Sequence, residues 1–359
     1  MRKTYKYRLF PTKAQREKIE FTLEHCRLLY NRLLDERRFA YKTDKTTLNY
    51  YDQANTLSTR KKYIPALKQV HSQVLQDVVK RLDKAFQAFF RRVKAGETPG
   101  YPRFKSAGRY DSFTYPQGGY AINGHTLTLS KIGEVKVKLH RQPQGKIKTC
   151  TVIVKNGKYY ASLSCEVERN PLPESKQAVG IDLGVKHLAV TSDEDFYEHP
   201  KFLRESERKL RRKQRSVSRK KKGSARRRKA VKELAREHEH IANQRRNNAH
   251  KVSRELVNRY GFIAFEKLNV QGMVKNHHLA KSIVDASWNQ LVQYTTYKAE
   301  EAGRRVVLVD PKNTSQLCSS CGEMVPKKLS ERTHRCEHCG YVADRDVNAA
   351  KNILKRVIA

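Results

Sequence analysis

The chain has 359 residues, enough to bury at least one sizeable core and to divide into about two or three domains, and its 38% apolar content excludes a disordered, highly charged tail. Lysine and arginine number 75 against 36 aspartates and glutamates, a formal charge of +39, so a bare surface would repel itself and a polyanionic partner is implied. No apolar run nears the roughly 20 residues that span a bilayer, and the opening MRKTYKYRLFPTKAQ lacks the apolar core of a signal peptide, so the expected partner is nucleic acid and the expected compartment the cytosol.

Residues 4–10, TYKYRLF, alternate as a short strand, and Thr12 with Gln15 occupies capping-box positions for a helix behind Pro11. Apolar residues then recur at three- and four-residue steps, first Ile19, Leu23, Cys26, Leu29 and Leu33, later Val74, Val78, Leu82, Phe86 and Phe89, which predicts helix to about Val93. The glycines and prolines of AGETPGYPRFKSAGRYDSFTYP break that pattern. This stretch interleaves Tyr101, Phe104, Tyr110, Phe113 and Tyr115 with Arg103, Lys105 and Arg109, which suits either bases stacked on rings with phosphates on cations, or a loop whose rings finish a core edge. HTLTLSKIGEVKVKL and TCTVIVKNGKYYASLSCEVE read as antiparallel strands, the second folded back at Asn156–Gly157, in a barrel that recruits the first strand.

The polar ERNPLPESKQ suits a domain boundary. AVGIDLGVKHLAVTSD follows as two strands joined by a tight turn. From about Phe202 to Tyr260 the pattern is helical and dominated by arginine and lysine; because the run lies between two core strands, it reads as a folded helix pair laid along a nucleic-acid backbone. YGFIAFEKLNV is a strand with Glu266 near its end, SIVDASWNQLVQYTTYKAEEAG a helix stopped at Gly303, and RRVVLVDP a further strand. The last helix opens near Asp346.

Three carboxylates occupy places from which they can converge in one α/β sheet. Asp182 lies in a strand, Glu266 ends one, and Asp346 opens a helix whose other face is Val347, Ala350 and Ile353. Two divalent ions bridged by such acids can activate a water and stabilise the leaving oxygen of a phosphodiester, and hard oxygen ligands select magnesium or manganese for that work. Taken singly, each acid has a plainer reading: Asp182 orders a turn, or Glu266 pairs with a lysine. The cysteines speak more directly. Cys318, Cys321, Cys336 and Cys339 form C-x2-C-x14-C-x2-C with glycine after each pair, the spacing of one structural zinc ion held by four thiolates. His334 and His338 are bystanders to that complete shell, and Cys26, Cys150 and Cys165 are expected as small buried hydrophobes.

The segments YKYRLFPTKAQ, GYPRFK, VGIDLGVKHLAV, IAFEKLNV, SIVDASWNQLVQYTTYKAEEAG, NTSQLCSSCG and CGYVADRDVNAAKNIL, in this order, resemble TnpB, the accessory protein of bacterial insertion sequences, similar to the ancestors of type V CRISPR effectors. The resemblance implies a multidomain α+β chain. A wedge-type β-barrel from residues 1–11 and 96–170 is interrupted by a helical recognition region at 12–95. A RuvC-like nuclease domain of RNase H fold (α/β) comprises 171–315 and 341–359, with the zinc finger inserted at 316–340. Its catalytic, magnesium-binding carboxylates fall on Asp182, Glu266 and Asp346; Asp346 is taken over Asp344 because the family's acid directly precedes the x-Asn-Ala pattern, here Val347-Asn348-Ala349. The implied activity is that of a magnesium-dependent, RNA-guided DNA endonuclease. It binds a transposon-derived guide RNA as a monomer and cuts target double-stranded DNA beside a short transposon-adjacent motif, in the bacterial cytoplasm at the nucleoid. Two rival readings stay open: an unguided transposase or structure-specific nuclease using the same acids, and a catalytically silent guide-directed DNA binder.

Overall fold

Alternation decides the first element: Tyr5, Tyr7 and Leu9 turn inward from β1 (Arg2–Phe10) while Thr4 and Lys6 face solvent. The computed structural model describes residues 1–328 and 331–358, which form two compact units, Met1–Glu168 and Arg169–Ala359. In the first, Thr12 and Gln15 close the expected capping box on α1 (Lys13–Asp44), whose buried stripe runs through Ile19, Cys26, Leu29 and Leu33. Short helices α2 (Tyr50–Ala54) and α3 (Leu57–Tyr63) and a 3₁₀ turn (Pro65–Gln69) lead to α4 (Ser72–Lys94), which lays Val74, Val78, Leu82 and Phe86 into the same core.

Six further strands follow: β2 (Ser112–Tyr115), β3 (Tyr120–Asn123), β4 (Thr126–Leu129), β5 (Gly133–Lys138), β6 (Lys146–Lys155) and β7 (Lys158–Glu166). With β1 they make an antiparallel sheet ordered β2-β6-β7-β1-β5-β4-β3. The first strand is recruited as expected, with Tyr5 opposite Leu163 and Leu9 opposite Val137, and the Asn156–Gly157 turn pairs Lys155 with Lys158. The expected barrel does not close: among the described residues β2 and β3 share no ladder. The connection between them explains why. Pro116 has no N–H to contribute, and the N–H of Gly118 is spent on the Gln73 side chain at 3.0 Å. Across the gap the rings of Tyr115 and Tyr120 lie 6.4 Å apart. The interleaved aromatics differ in burial. Phe113 and Tyr115 are core, whereas Tyr101 and Phe104 stay 45% and 46% exposed, Phe104 beneath the Arg38 guanidinium.

The second unit is built on strands β8 (Ala178–Asp182), β9 (His187–Thr191) and β10 (Phe196–Glu198), helices α5 (Phe202–Ser218) and α6 (Ala225–Arg259), and strand β11 (Phe262–Glu266). Helices α7 (Val270–Met273), α8 (His277–Ala286) and α9 (Trp288–Ala302) then lead to β12 (Arg305–Val309). The sheet runs β10-β9-β8-β11-β12, antiparallel across its first three strands and parallel across β8, β11 and β12. Parallel strands are covered on both faces, which is why Val179, Ile181, Ile263 and Phe265 form near-continuous apolar runs. One face packs against Leu256 and Val257 of α6, Tyr260 just beyond its end, and Leu291 and Ala302 of α9. On the other lies α10 (Arg345–Ile358), after a small hairpin of β13 (Thr333–Arg335) and β14 (Val342–Asp344).

One helix expected to be continuous is broken. Ser287 adopts a left-handed backbone with φ 55°, and α8 ends there while α9 begins. The break frees Asp285 to serve another element: its carboxylate accepts from the Leu203 N–H at the start of α5 and from Arg245 of α6 at 2.8 Å. Helix periodicity carries no sign of such a demand, so the sequence reads straight through it. Among the described residues no helix is long and apolar enough to cross a membrane.

Candidate active site and cysteine cluster

The neighbouring parallel strands β8 and β11 end together. Phe265 lies opposite Ile181, so Asp182 and Glu266, each one residue further on, emerge side by side at the carboxyl edge of the sheet. That edge is where open α/β sheets place their ligand sites. The third acid arrives from above. A Cβ on Gly180 would stand 2.0 Å from the Ala350 carbonyl oxygen, so only glycine lets α10 lie this close to β8, and the first turn of α10 carries Asp346. Asp344 has a separate task. Its carboxylate accepts from the Asp346 N–H at 2.8 Å and the Val347 N–H at 3.4 Å, capping the helix.

The electrostatics of this group are those of crowded acids. Glu266 and Asp346 are buried and Asp182 is half-buried. Desolvation first, then repulsion from Glu266 and Asp346, holds the Asp182 carboxyl well above the ordinary carboxylate range. Burial raises Glu266 to about 7, opposed by the Leu183 N–H, which reaches Glu266 Oε1 at 3.1 Å, and by a hydrogen bond with Asp182. No lysine pairs with Glu266 among the described residues, so the plainer reading of that acid fails. Asp346 is held by arginines instead, Arg345 at 2.9 Å and Arg332 at 3.6 Å. Three hard oxygen donors crowded together and short of positive charge fit a divalent cation. They are looser than a closed metal cage, because among the described residues only the four cysteines bring three or more donor atoms within 4.8 Å of one another.

The cysteine cluster is built from two matching knuckles. The Gly322 N–H donates to the Cys318 carbonyl and the Gly340 N–H to the Cys336 carbonyl, both at 2.9 Å, and both glycines take positive φ, 85° and 74°. Sulfur–sulfur distances are 3.7 Å for Cys318–Cys339 and 3.6 Å for Cys321–Cys336. A tetrahedral zinc with bonds of about 2.3 Å sets its sulfurs roughly 3.8 Å apart, so the donor set fits that ion. The Tyr341 backbone N–H pulls the Cys339 thiol down to about 6, toward the thiolate that binds metal. His334 is buried beside Lys327 and His338 is exposed; neither joins the four sulfurs. Cys26, Cys150 and Cys165 are buried free thiols in the first unit.

Comparison with known proteins follows the same lines. A family model described as "Probable transposase" matches residues 162–277, one described as "Cas12f1-like, TNB domain" matches 288–353, and one described as "Helix-turn-helix domain" matches 1–46. A Streptomyces pristinaespiralis protein provisionally named an RNA-guided DNA endonuclease is 34% identical, the alignment covering 100% of this chain and 90% of that protein. The chain belongs to the TnpB family. An Escherichia coli relative of this TnpB chain, provisionally named RNA-guided DNA endonuclease InsQ, is 33% identical over 98% of this chain and 91% of its own. The solved structure of the mini-RNA-guided endonuclease CRISPR-CasPhi3 shares the fold at a TM-score of 0.55 and 7% identity, covering 99% of this chain and 92% of that one. Residues 1–46 of the TnpB chain form a strand and one long helix rather than the helix-turn-helix of that model's description.

Two residues that join the centres escaped the sequence reading. Asn348, buried on α10, accepts from the Ser319 N–H at 2.8 Å and donates to the Leu317 carbonyl at 2.8 Å. Asn352, one turn on, donates to the carbonyls of Thr314 and Leu317 at 2.8 and 2.7 Å. The signal was present in VNAAKNIL, where two asparagines four apart interrupt an apolar face, a pattern that needs buried backbone partners.

Proposed function

We propose that the chain is an RNA-guided DNA endonuclease whose Arg169–Ala359 unit is a RuvC-like nuclease of RNase H fold, with Asp182, Glu266 and Asp346 as its catalytic carboxylates. The observation that carries this reading is the meeting of those three acids at the carboxyl edge of β8 and β11, where burial raises the proton affinity of Asp182 and Glu266. The sheet order, with β8 central and flanked by antiparallel β9 and parallel β11, supports the assignment. In domain terms, residues 171–315 and 341–359 form the nuclease and 316–340 the zinc finger, while 1–11 with 96–170 and 12–95 supply the wedge and the recognition helices.

Magnesium ions, or manganese, bound at these acids would supply an activated water and charge at the leaving oxygen. The chain's own contribution is arrangement. Strand pairing holds Asp182 beside Glu266, Gly180 admits the helix that brings Asp346, and Arg345 steadies that carboxylate. The cysteine cluster holds zinc in a structural role, since four thiolates leave no position for substrate.

A guide RNA paired to its DNA target is the polyanion that suits a charge of +39, because base pairing reads the sequence and the protein need only follow the backbone. The basic helices support this. A groove of about 1080 Å³ along α5 is lined by Arg208, Arg212, Arg215, Arg219 and Lys220. Ion pairs from Lys209 and Lys213 to the buried Glu237, at 3.0 and 2.6 Å, lock α5 against α6 beneath it. The reading includes one chain per guide RNA and a cytoplasmic setting at the nucleoid.

The test is expression with the flanking insertion-sequence DNA, sequencing of the RNA that copurifies, and cleavage of a target matched to that RNA with randomised flanks. Asp182→Ala, Glu266→Ala and Asp346→Ala should each lower cleavage by about 10³-fold or more while RNA still copurifies. Cleavage retained by all three variants removes the active-site assignment. Full-rate cutting of arbitrary duplex without RNA makes the protein an unguided nuclease, and no cleavage under any guide makes it a silent binder.

A further inference from the structure

The turn that leaves β8 is held from three sides. The ladder between β8 and β9 ends where Asp182 faces Val190, so residues 183–186 run beyond it. Each of the three residues that follow Asp182 offers a main-chain group to a side chain. The Leu183 N–H donates to Glu266 Oε1 at 3.1 Å, the Gly184 carbonyl accepts from Trp288 Nε1–H at 3.3 Å, and the Val185 carbonyl accepts from His199 Nδ1–H at 2.9 Å. A carbonyl can only accept, which fixes the His199 tautomer.

The two anchors reach the turn from different elements. Trp288 is the chain's single tryptophan, 2% exposed, and it opens α9 directly after the left-handed Ser287. The helix break that frees Asp285 therefore also sets the indole against the turn. His199 follows β10 and is 6% exposed. Its Nε2 has no hydrogen-bond partner among the described residues, so the ring's one bond is the one to Val185. A buried imidazole with a nitrogen left unpaired is unfavourable in itself, which sets the Nδ1 contact apart from mere filling of space.

Apolar packing is already supplied by Leu183 and Leu188, which share a core with Trp288. What the two N–H donors add is direction. Strand pairing places Asp182 and Glu266 side by side, and the turn sets how Glu266 faces, because the Leu183 N–H holds one of its oxygens. Rotation of the turn would withdraw that donor and let the carboxylate swing.

We propose that Trp288 and His199 are positioning residues: through the turn 183–186 and the Leu183 N–H they hold the Glu266 carboxylate in the orientation in which it and Asp182 take one divalent ion together. The proposal rests on the nuclease reading above, and its test separates the two.

The experiment uses the full chain loaded with its guide RNA. Trp288 supplies the signal: as the single indole, bonded to the second residue after Asp182, it is quenched by paramagnetic manganese(II) at the acids and not by ions elsewhere on the RNA. His199→Gln moves the donor from the Nδ1 to the Nε2 position and should raise the manganese concentration at half quenching by about tenfold or more. His199→Asn keeps an N–H where Nδ1 was and should titrate as wild type, which separates the hydrogen bond from folding. In a Glu266→Ala background His199→Gln should cause no further shift. Trp288→Phe keeps an aromatic ring and loses the N–H; it should lower kcat on guide-matched DNA by about 10²-fold with KM unchanged.

Glutamine and asparagine variants that shift alike, a His199→Gln shift that recurs in full without Glu266, or a Trp288→Phe protein with wild-type kcat overturns the proposal. Should no protein cut DNA, the nuclease reading fails while the quenching curves still decide the role of the turn. Should manganese leave the wild-type indole unquenched, both fall.

Discussion

Replacing Glu266 with glutamine should make the metal-free protein more stable, and increasingly so as pH rises. Glu266 titrates near 7 in the folded chain against 4.5 for an ordinary glutamate. Between those values the folded state holds a proton that the unfolded state has lost, so the folded state binds more protons and stability falls with rising pH. The loss is complete above about 7. A shift from 4.5 to about 7, at ~1.4 kcal/mol per unit, amounts to about 3 kcal/mol. Glu266→Gln removes this term, because its amide remains neutral throughout. In a unit of this size 3 kcal/mol corresponds to about 6–12 °C in Tm. Calorimetry in chelator should therefore show wild type losing ground to Glu266→Gln across the window from 4.5 to about 7. Saturating magnesium should reverse the order, since only ionised carboxylates bind it and the glutamine variant has lost one. A difference between the two proteins that stays flat with pH in chelator would refute the picture of buried, crowded acids.

Three other outcomes follow from particular contacts. Gly180→Ala places a methyl 2.0 Å from the Ala350 carbonyl; it should cost about 1–3 kcal/mol in melting experiments yet reduce cleavage far more, because it moves the helix carrying Asp346. Metal analysis should find one zinc per chain, and Cys336→Ser should lose it together with cleavage while guide RNA still copurifies; a fully folded, active chain without zinc would overturn the cluster's assignment. Asp285→Ala strands Arg245 and the Leu203 N–H, so denaturant unfolding should report a loss of about 3–5 kcal/mol.

What the sequence discloses and what it hides follow from range. Capping at Thr12, the turn at Asn156–Gly157 and the amphipathic stripe of α4 depend on neighbours a few residues away, and the structure carries each as read. The cysteine spacing is also local, because two short knuckles fix the four sulfurs. The break at Ser287 and the failure of β2 to meet β3 depend on distant partners, Leu203 and Arg245 in one case and Gln73 in the other, and leave no mark on local periodicity. The acids are an intermediate case. Their positions at the ends of strands and the start of a helix were legible, but the glycine that admits α10 shows its purpose only once Ala350 is seen against it.

Helix α10 makes the two centres depend on each other. Ala350 and Ile353 bury its inner face against β8, β11 and β12, while Asn348 and Asn352 grip the loop that carries the first cysteine knuckle. Asp346 sits at the start of this shared helix and Asp344, from the hairpin strand that follows the second knuckle, caps it. Loosening the cysteine cluster therefore releases both the cap and the asparagine clamps, and the acid they position is the one that lies outside the sheet. Asp182 and Glu266 need no such help, since strand pairing alone sets them side by side. In the proposed function, a zinc ion that never touches substrate is thus coupled to chemistry through one carboxylate of three. Its removal should mimic the loss of Asp346 and leave Asp182 and Glu266 side by side as before.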